Sequence, residues 1–218
     1  MRTLTSLFCV SFFALSLTAL APAAANTNDL SEAELMAKAQ LFVTEMADEA
    51  VSILTMQKTR EGREEGFRAL LEQRANMRRI ARFTLGQFAR QISDEDFETY
   101  QALLNEMIVK VYANRLGEYS DERVIVGTGQ SKKRNFIINS KIEFANGRQP
   151  IPIDWWLVRE KDGSFSLFDV RVLGVWMAQE QRDSFSSVLK NNKGDIDTLL
   201  QHIRQQISGD KSDAAING

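Results

Sequence analysis

The chain has 218 residues, a formal net charge of −2, one histidine and one cysteine. A near-neutral charge balance carries no electrostatic footprint for nucleic acid. The single histidine, His202, lies near the C-terminal end and argues against serine–histidine triads and multi-histidine zinc sites.

Arg2, the apolar run Leu4 to Leu20 and the small residues Ala23-Ala24-Ala25 together read as a secretory signal peptide covering 1–25. A membrane-anchoring helix is the weaker reading, because the run barely reaches spanning length. Cys9 lies inside that run, so the mature chain is expected to hold no thiol nucleophile and no disulfide. The remainder is the size of one domain, expected over 26–207, with a small polar tail at 208–218 expected to be disordered. No later run is long enough to span a bilayer, so a soluble mature protein is expected.

Ser31 and Glu34 form a capping box, and Leu30 and Leu35 can staple it. Leu35, Phe42, Met46, Ala50 and Ile53 then recur at helical spacing, predicting a helix from about 32 to 57. Glu61-Gly62 to Glu65-Gly66 reads as a polar break before a shorter helix with Phe67, Leu70 and Leu71. Residues 76–90 predict a further helix that turns near Gly86. Ser93-Asp94-Glu95-Asp96 opens the clearest helix, since Ser93 can cap it and three acids meet the positive end of its dipole. Its wide apolar face, from Phe97 and Tyr100 to Val111 and Tyr112, is most simply explained by a helix lying on a sheet.

After Gly117 the pattern changes. Residues 124–128, 135–144, 153–160 and 165–172 are strand-like, separated by Gly-Gln-Ser-Lys-Lys, Asn146-Gly147 and Asp162-Gly163. Consecutive strands with tight turns predict an antiparallel meander. From Ser164 to Phe185 a buried strand leads into a helix, with Gly174 and Trp176 at the corner. A last helix is expected over 195–207. The fold class is therefore α+β, with N-terminal helices, a four-stranded or slightly larger antiparallel meander, and C-terminal helices.

Little catalytic equipment is present. There is no phosphate-binding loop, and Gly127-Thr128-Gly129 lacks the rest of a dinucleotide fingerprint. Asp154, Asp169 and Glu143 lie on or beside strands, where an acid in an apolar cavity can act as a base. For Asp169 the expectation is an ion pair with Arg171 or Arg182. Lys132-Lys133-Arg134 is read as a solvated hairpin tip, with docking to an acidic partner or to lipid headgroups as the sharper alternative. Trp155, Trp156, Trp176, Phe83 and Phe88 each suit a core or a ligand wall.

Several runs in order resemble the MlaC / toluene-tolerance family of periplasmic phospholipid carriers. They are Leu85-Gly86-Gln87-Phe88, Phe97 to Tyr100, Tyr112-Ala113-Asn114-Arg115-Leu116 with Tyr119, Phe168-Asp169-Val170 with Val172 and Gly174-Val175, and Gln181-Arg182-Asp183-Ser184-Phe185. The chain departs from the family pattern at Leu173 and Trp176, at Glu180-Gln181, at Phe88 and at Asn76. The resemblance implies a cone-like sheet with helices around a hydrophobic pocket for lipid tails. It also implies a Gram-negative periplasmic location and a monomer with no cofactor, carrying phospholipid as cargo. The partners it implies are an inner-membrane ABC transporter with MCE-type domains and an outer-membrane lipoprotein–porin complex, in the maintenance of outer-membrane lipid asymmetry. The expected pocket wall is Phe97, Tyr100, Leu104, Met107, Ile108, Val111, Ile138, Ile142, Trp155, Leu157, Phe168, Val170, Val172, Val175 and Trp176. The rival readings are an isomerase or hydratase on the same cone, with Asp154 or Asp169 as base, and a protein-binding adaptor.

Overall fold

The structure, a computed structural model, describes residues 30–115 and 122–216. The signal-peptide stretch 1–25 and the motif residues Leu116 and Tyr119 lie outside the described residues, as does the side chain of Tyr112. Six α-helices and five strands follow one another as α1 (Glu32–Met56), α2 (Arg60–Arg74), α3 (Met77–Leu85), α4 (Asp94–Arg115), β1 (Glu122–Lys132), β2 (Asn135–Phe144), β3 (Ile151–Arg159), β4 (Phe165–Val172), β5 (Val175–Trp176), α5 (Met177–Asn191) and α6 (Ile196–Ile216).

The helix starts follow local chemistry. Glu34 accepts the Ser31 N–H at 2.8 Å while Ser31 Oγ accepts the Glu34 N–H at 3.3 Å, which closes the capping box of α1. Ser93 Oγ likewise accepts the Asp96 N–H at 3.1 Å at the start of α4. The polar break expected around Gly62 and Gly66 is instead helix, capped by Thr59. A Cβ on Gly66 would stand 2.8 Å from Ile53 Cγ2, so this glycine lets α2 approach α1 rather than ending a helix.

All five strands pair antiparallel in sequence order. β1 runs on from the expected strand through Gly129 to Lys132, a stretch read from the sequence as a turn, by means of a bulge between Val126 and Gly129. A Cβ on Gly129 would meet the Ile137 carbonyl oxygen at 2.7 Å and Met36 Sδ at 3.0 Å, so close packing of α1 requires the glycine. The fifth strand is only two residues long, and the chain leaves it directly into α5.

The helix expected to lie on the sheet does not do so. α1 and α2 pack against the strands, while α4 is held mainly by α6 and α2. Its stripe of Phe97, Tyr100, Leu104 and Met107 meets Leu85, Phe185, Leu189, Leu199 and Ile203. Val109 and Ala113, on its other side, are also buried. An apolar stripe records that a helix is covered but not by which kind of element, and here helices cover it.

Candidate functional site

Strand register sorts the sheet residues onto two faces. Phe136, Ile138, Ser140 and Ile142 of β2 stand opposite Leu157, Trp155, Ile153 and Ile151 of β3. Trp155 and Ile153 in turn stand opposite Val170 and Val172 of β4. Among these residues only Ser140 is polar, and its hydroxyl accepts the Trp155 indole N–H at 2.8 Å and donates to the Ile153 carbonyl. Phe136, Ile138 and Leu157 are fully buried under α1 and α2. Trp155, Val170, Val172, Ile142 and Ile151 remain half-buried.

The apolar interior is divided. One cluster joins α3, α4, α5 and α6, and a second joins α1 and α2 to the inner face of the sheet. A third gathers Met77, Ile80, Phe168 and Ala178. Ile108 of α4 touches the first and third clusters, and Ala75 touches the second and third. The interior is therefore abutting clusters, with half-buried side chains where they meet.

Against this layout the fifteen expected wall residues separate. Phe97, Tyr100, Leu104 and Met107 are helical core, with Ile108 and Val111 half-buried at its margin. Ile138, Leu157, Trp155 and Val170 share the inner-face cluster. Ile142 and Val172 lie on the same face by register, and Val175 follows at the exposed edge. Phe168 and Trp176 do not join them. A bulge between Trp156 and Leu157 turns Phe168 away from Val170 and onto Trp156, with ring centroids 4.8 Å apart. Trp176 also packs on Trp156, at 5.7 Å, and Phe83 of α3 meets Phe168 at 5.0 Å. Ile151 and Ile153 are absent from the expected wall, although counting alternate positions across the register from Ile142 finds them.

Two hollows are found among the described residues, neither of them between α4 and the sheet. One, of about 510 Å³, lies between α5 and α6 and is lined mostly by serine, asparagine and glutamine, with His202. The other, of about 410 Å³, lies over Arg79, Arg134 and Glu160.

Two of the three candidate bases are ion-paired, and Asp169 is engaged through one oxygen while its Oδ2 is buried without a partner. Asp154 pairs with the Arg171 guanidinium and accepts from Asn139. Glu143 pairs with Lys141 at 2.6 Å. Asp169 forms no ion pair with Arg171 or Arg182, contrary to expectation. Its Oδ1 accepts the N–H groups of Val170 and Ala178, each at 2.8 Å. It thus supplies the cap that Trp176, at the start of α5, cannot provide. Burial pushes its carboxyl above the usual aspartate value, opposed by those backbone donors. Glu160 takes the opposite course, drawn down to about 2 by the Arg79 guanidinium, with Ser166 and Asn76 adding hydrogen bonds.

The arrangement defines a class: an α+β protein with one apolar sheet face turned toward helices, and no group of three or more metal-ligating side chains among the described residues. The chain belongs to the MlaC protein family, whose model matches residues 44–205. The intermembrane phospholipid transport system binding protein MlaC of Haemophilus influenzae is 28% identical over 127 residues. That alignment covers 57% of this chain and 58% of the relative, so the chain spans little more than half the length of the curated relative it matches. A solved phospholipid-binding protein from Ralstonia solanacearum, in complex with a phospholipid, has the same fold. It matches at a TM-score of 0.70 with 19% identity, over 80% of this chain and 99% of the other. No helix among the described residues is long and apolar enough to cross a membrane.

Proposed function

We propose that this chain is a periplasmic phospholipid carrier. It takes acyl chains against the inner face of the sheet and shuttles lipid between an outer-membrane lipoprotein–porin complex and an inner-membrane ABC transporter with MCE-type domains. The observation that carries the reading is the half-buried apolar row Ile142, Ile151, Trp155, Val170 and Val172, in a chain of the MlaC family. The wall is narrower than the sequence suggests. Ile108 and Val111 stay with the helical cluster, and in this reading the tails enter where the sheet cluster meets it.

The energetics fix what such a carrier does. A diacyl lipid exposes ~30 methylenes, each worth ~0.8 kcal/mol on leaving water, so an uncovered lipid faces a barrier of ~20 kcal/mol or more. A protein wall that solvates tails about as well as the bilayer removes the barrier and leaves a net transfer energy near zero. Direction then comes from the partners. Of the two carboxylates considered for an isomerase, Asp154 is committed to Arg171, and Asp169 holds the start of α5 through Oδ1 while its Oδ2 is buried without a partner.

Solvent extraction and mass spectrometry of the purified protein test the reading. Co-purified phospholipid is expected, and Val170→Glu is expected to lose it while keeping the native circular dichroism spectrum. A protein that is empty and takes up no lipid from liposomes removes the carrier reading.

A further inference from the structure

At one end of the sheet β4 reverses into β5 through Leu173-Gly174, with φ of +50 and +88. Positive φ at both central residues is the geometry of a tight hairpin turn that favours asparagine, aspartate or glycine at its first position. Leucine is strained there and gains little from packing, because it is 68% exposed. Val175, the next side chain, is 45% exposed.

Register shows what this tip joins. Ile153, Val172 and Val175 stand opposite one another in turn, so Val175 carries the inner apolar face out to the surface. The Leu173 N–H donates to the Pro152 carbonyl at 3.4 Å, which sets the start of β3 beside the turn. Two arginines lie over aromatic rings at this same end of the sheet. Arg171 is 5.1 Å from the Trp176 ring, and Arg148, in the loop after β2, is 4.0 Å from the Phe144 ring.

We infer that this end of the sheet is a bilayer-touching tip. Leu173 and Val175 enter the boundary between headgroups and acyl chains, Arg148 on Phe144 remains at headgroup depth, and Arg171, paired with Asp154, braces the Trp176 ring beside them. The inference deepens the carrier reading and rests on it, since it places the apolar inner face directly beside the membrane from which lipid would pass. A bilayer suits the tip better than a protein partner. Two side chains on a convex turn fall far short of the ~800 Å² that each partner contributes to a standard protein interface. Arg148, laid along the Phe144 ring, places an apolar body inward and a charge outward, the arrangement of an interfacial anchor. A small apolar tip also gives weak, reversible attachment, which a shuttle needs.

The test is co-sedimentation of the full mature protein with vesicles of phosphatidylethanolamine and phosphatidylglycerol. Wild type is expected to partition onto them, and Leu173→Asn combined with Val175→Ser to reduce that partition by about fivefold or more. Asparagine tolerates positive φ, so Leu173→Asn alone is expected to keep or raise the melting temperature. A melt of the double variant run alongside is expected to match wild type within a few degrees, and Leu173→Asn alone is expected to lower the partition as well, so the loss of vesicle binding is read on folded protein. Unchanged partition with a raised melting temperature overturns the inference, and so does a wild type that ignores the vesicles. A wild-type dimer that Leu173→Asn dissociates in sedimentation velocity also overturns it, because a second copy then covers the tip. A protein that purifies without lipid and takes none up from liposomes, yet binds vesicles through Leu173, upholds the tip and removes the carrier reading.

Discussion

Glu160 and Asp169 flank the first part of β4 and respond oppositely to their surroundings, because only Glu160 has a cation. Its folded value of about 2 lies below the ordinary 4.5, so the stability it contributes is complete above pH 4.5 and is lost as pH falls toward 2. With both side chains partly exposed, solvent screening leaves the pair worth about 1–2 kcal/mol. Urea denaturation of Glu160→Gln at pH 7 is expected to show that loss, and the gap to wild type is expected to close across the acid range. Asp169 has a raised value, so the folded state holds the proton more tightly than the unfolded one. Its contribution to stability is then greatest in acid and declines as pH rises from 3.8 through the folded value. Asp169→Asn is expected to remove that decline in a pH series of thermal melts. Asp169→Ala, which deletes the acceptor for the start of α5, is expected to cost about 1–2 kcal/mol. Neither role is legible in the sequence. The residue order shows that Asp169 alternates with apolar neighbours, but it does not show that Ala178 returns its N–H to the same place.

Elements are more legible where their chemistry is local. Ser31 with Glu34 and Ser93 with Asp96 mark helix starts without any knowledge of the fold, and the structure closes both. Gly86 reads as a turning point, and it has φ +58 and ψ −127 at the end of α3, a conformation open mainly to glycine. An added Cβ there would also come within 3.2 Å of Arg182 Nε. Gly86→Ala is therefore expected to destabilise by about 1–3 kcal/mol, read as a lowered urea midpoint with unchanged slope. Gly66 and Gly129 mislead because the reason for them lies across space. A glycine that admits Ile53 or Met36 looks, in one dimension, like a glycine that ends an element. The Phe168 bulge is a similar case. One inserted residue sends a side chain to the opposite face, and strict alternation fails from that point.

At the scale of the whole molecule, the order of helices, meander and helices is readable from periodicity and turn residues, while the placement of α4 is not. Its stripe and that of α1 are of the same kind, and only packing decides which helix meets the sheet. In the proposed reading the tails lie between the helical and sheet clusters and bind the folded state alone, so added lipid is expected to raise apparent stability by mass action. Delipidated protein is expected to melt several degrees below loaded protein. Hydrogen exchange is expected to quicken in β3, β4 and the middle of α4 when lipid is removed, while the junction of α5 and α6 is unaffected. Uniform change across all helices would place the tails elsewhere.

The two margins of the sheet bear on how the chain behaves when crowded. β5 offers only two residues of ladder before the backbone turns into α5. On the far side β1 is bulged, and the Gly127 carbonyl is already taken by Gln40 at 2.7 Å. Neither border presents a long, flat row of free N–H and C=O groups on which a neighbouring copy could template. At high concentration, neighbouring copies are therefore expected to resist stitching edge to edge into fibrils.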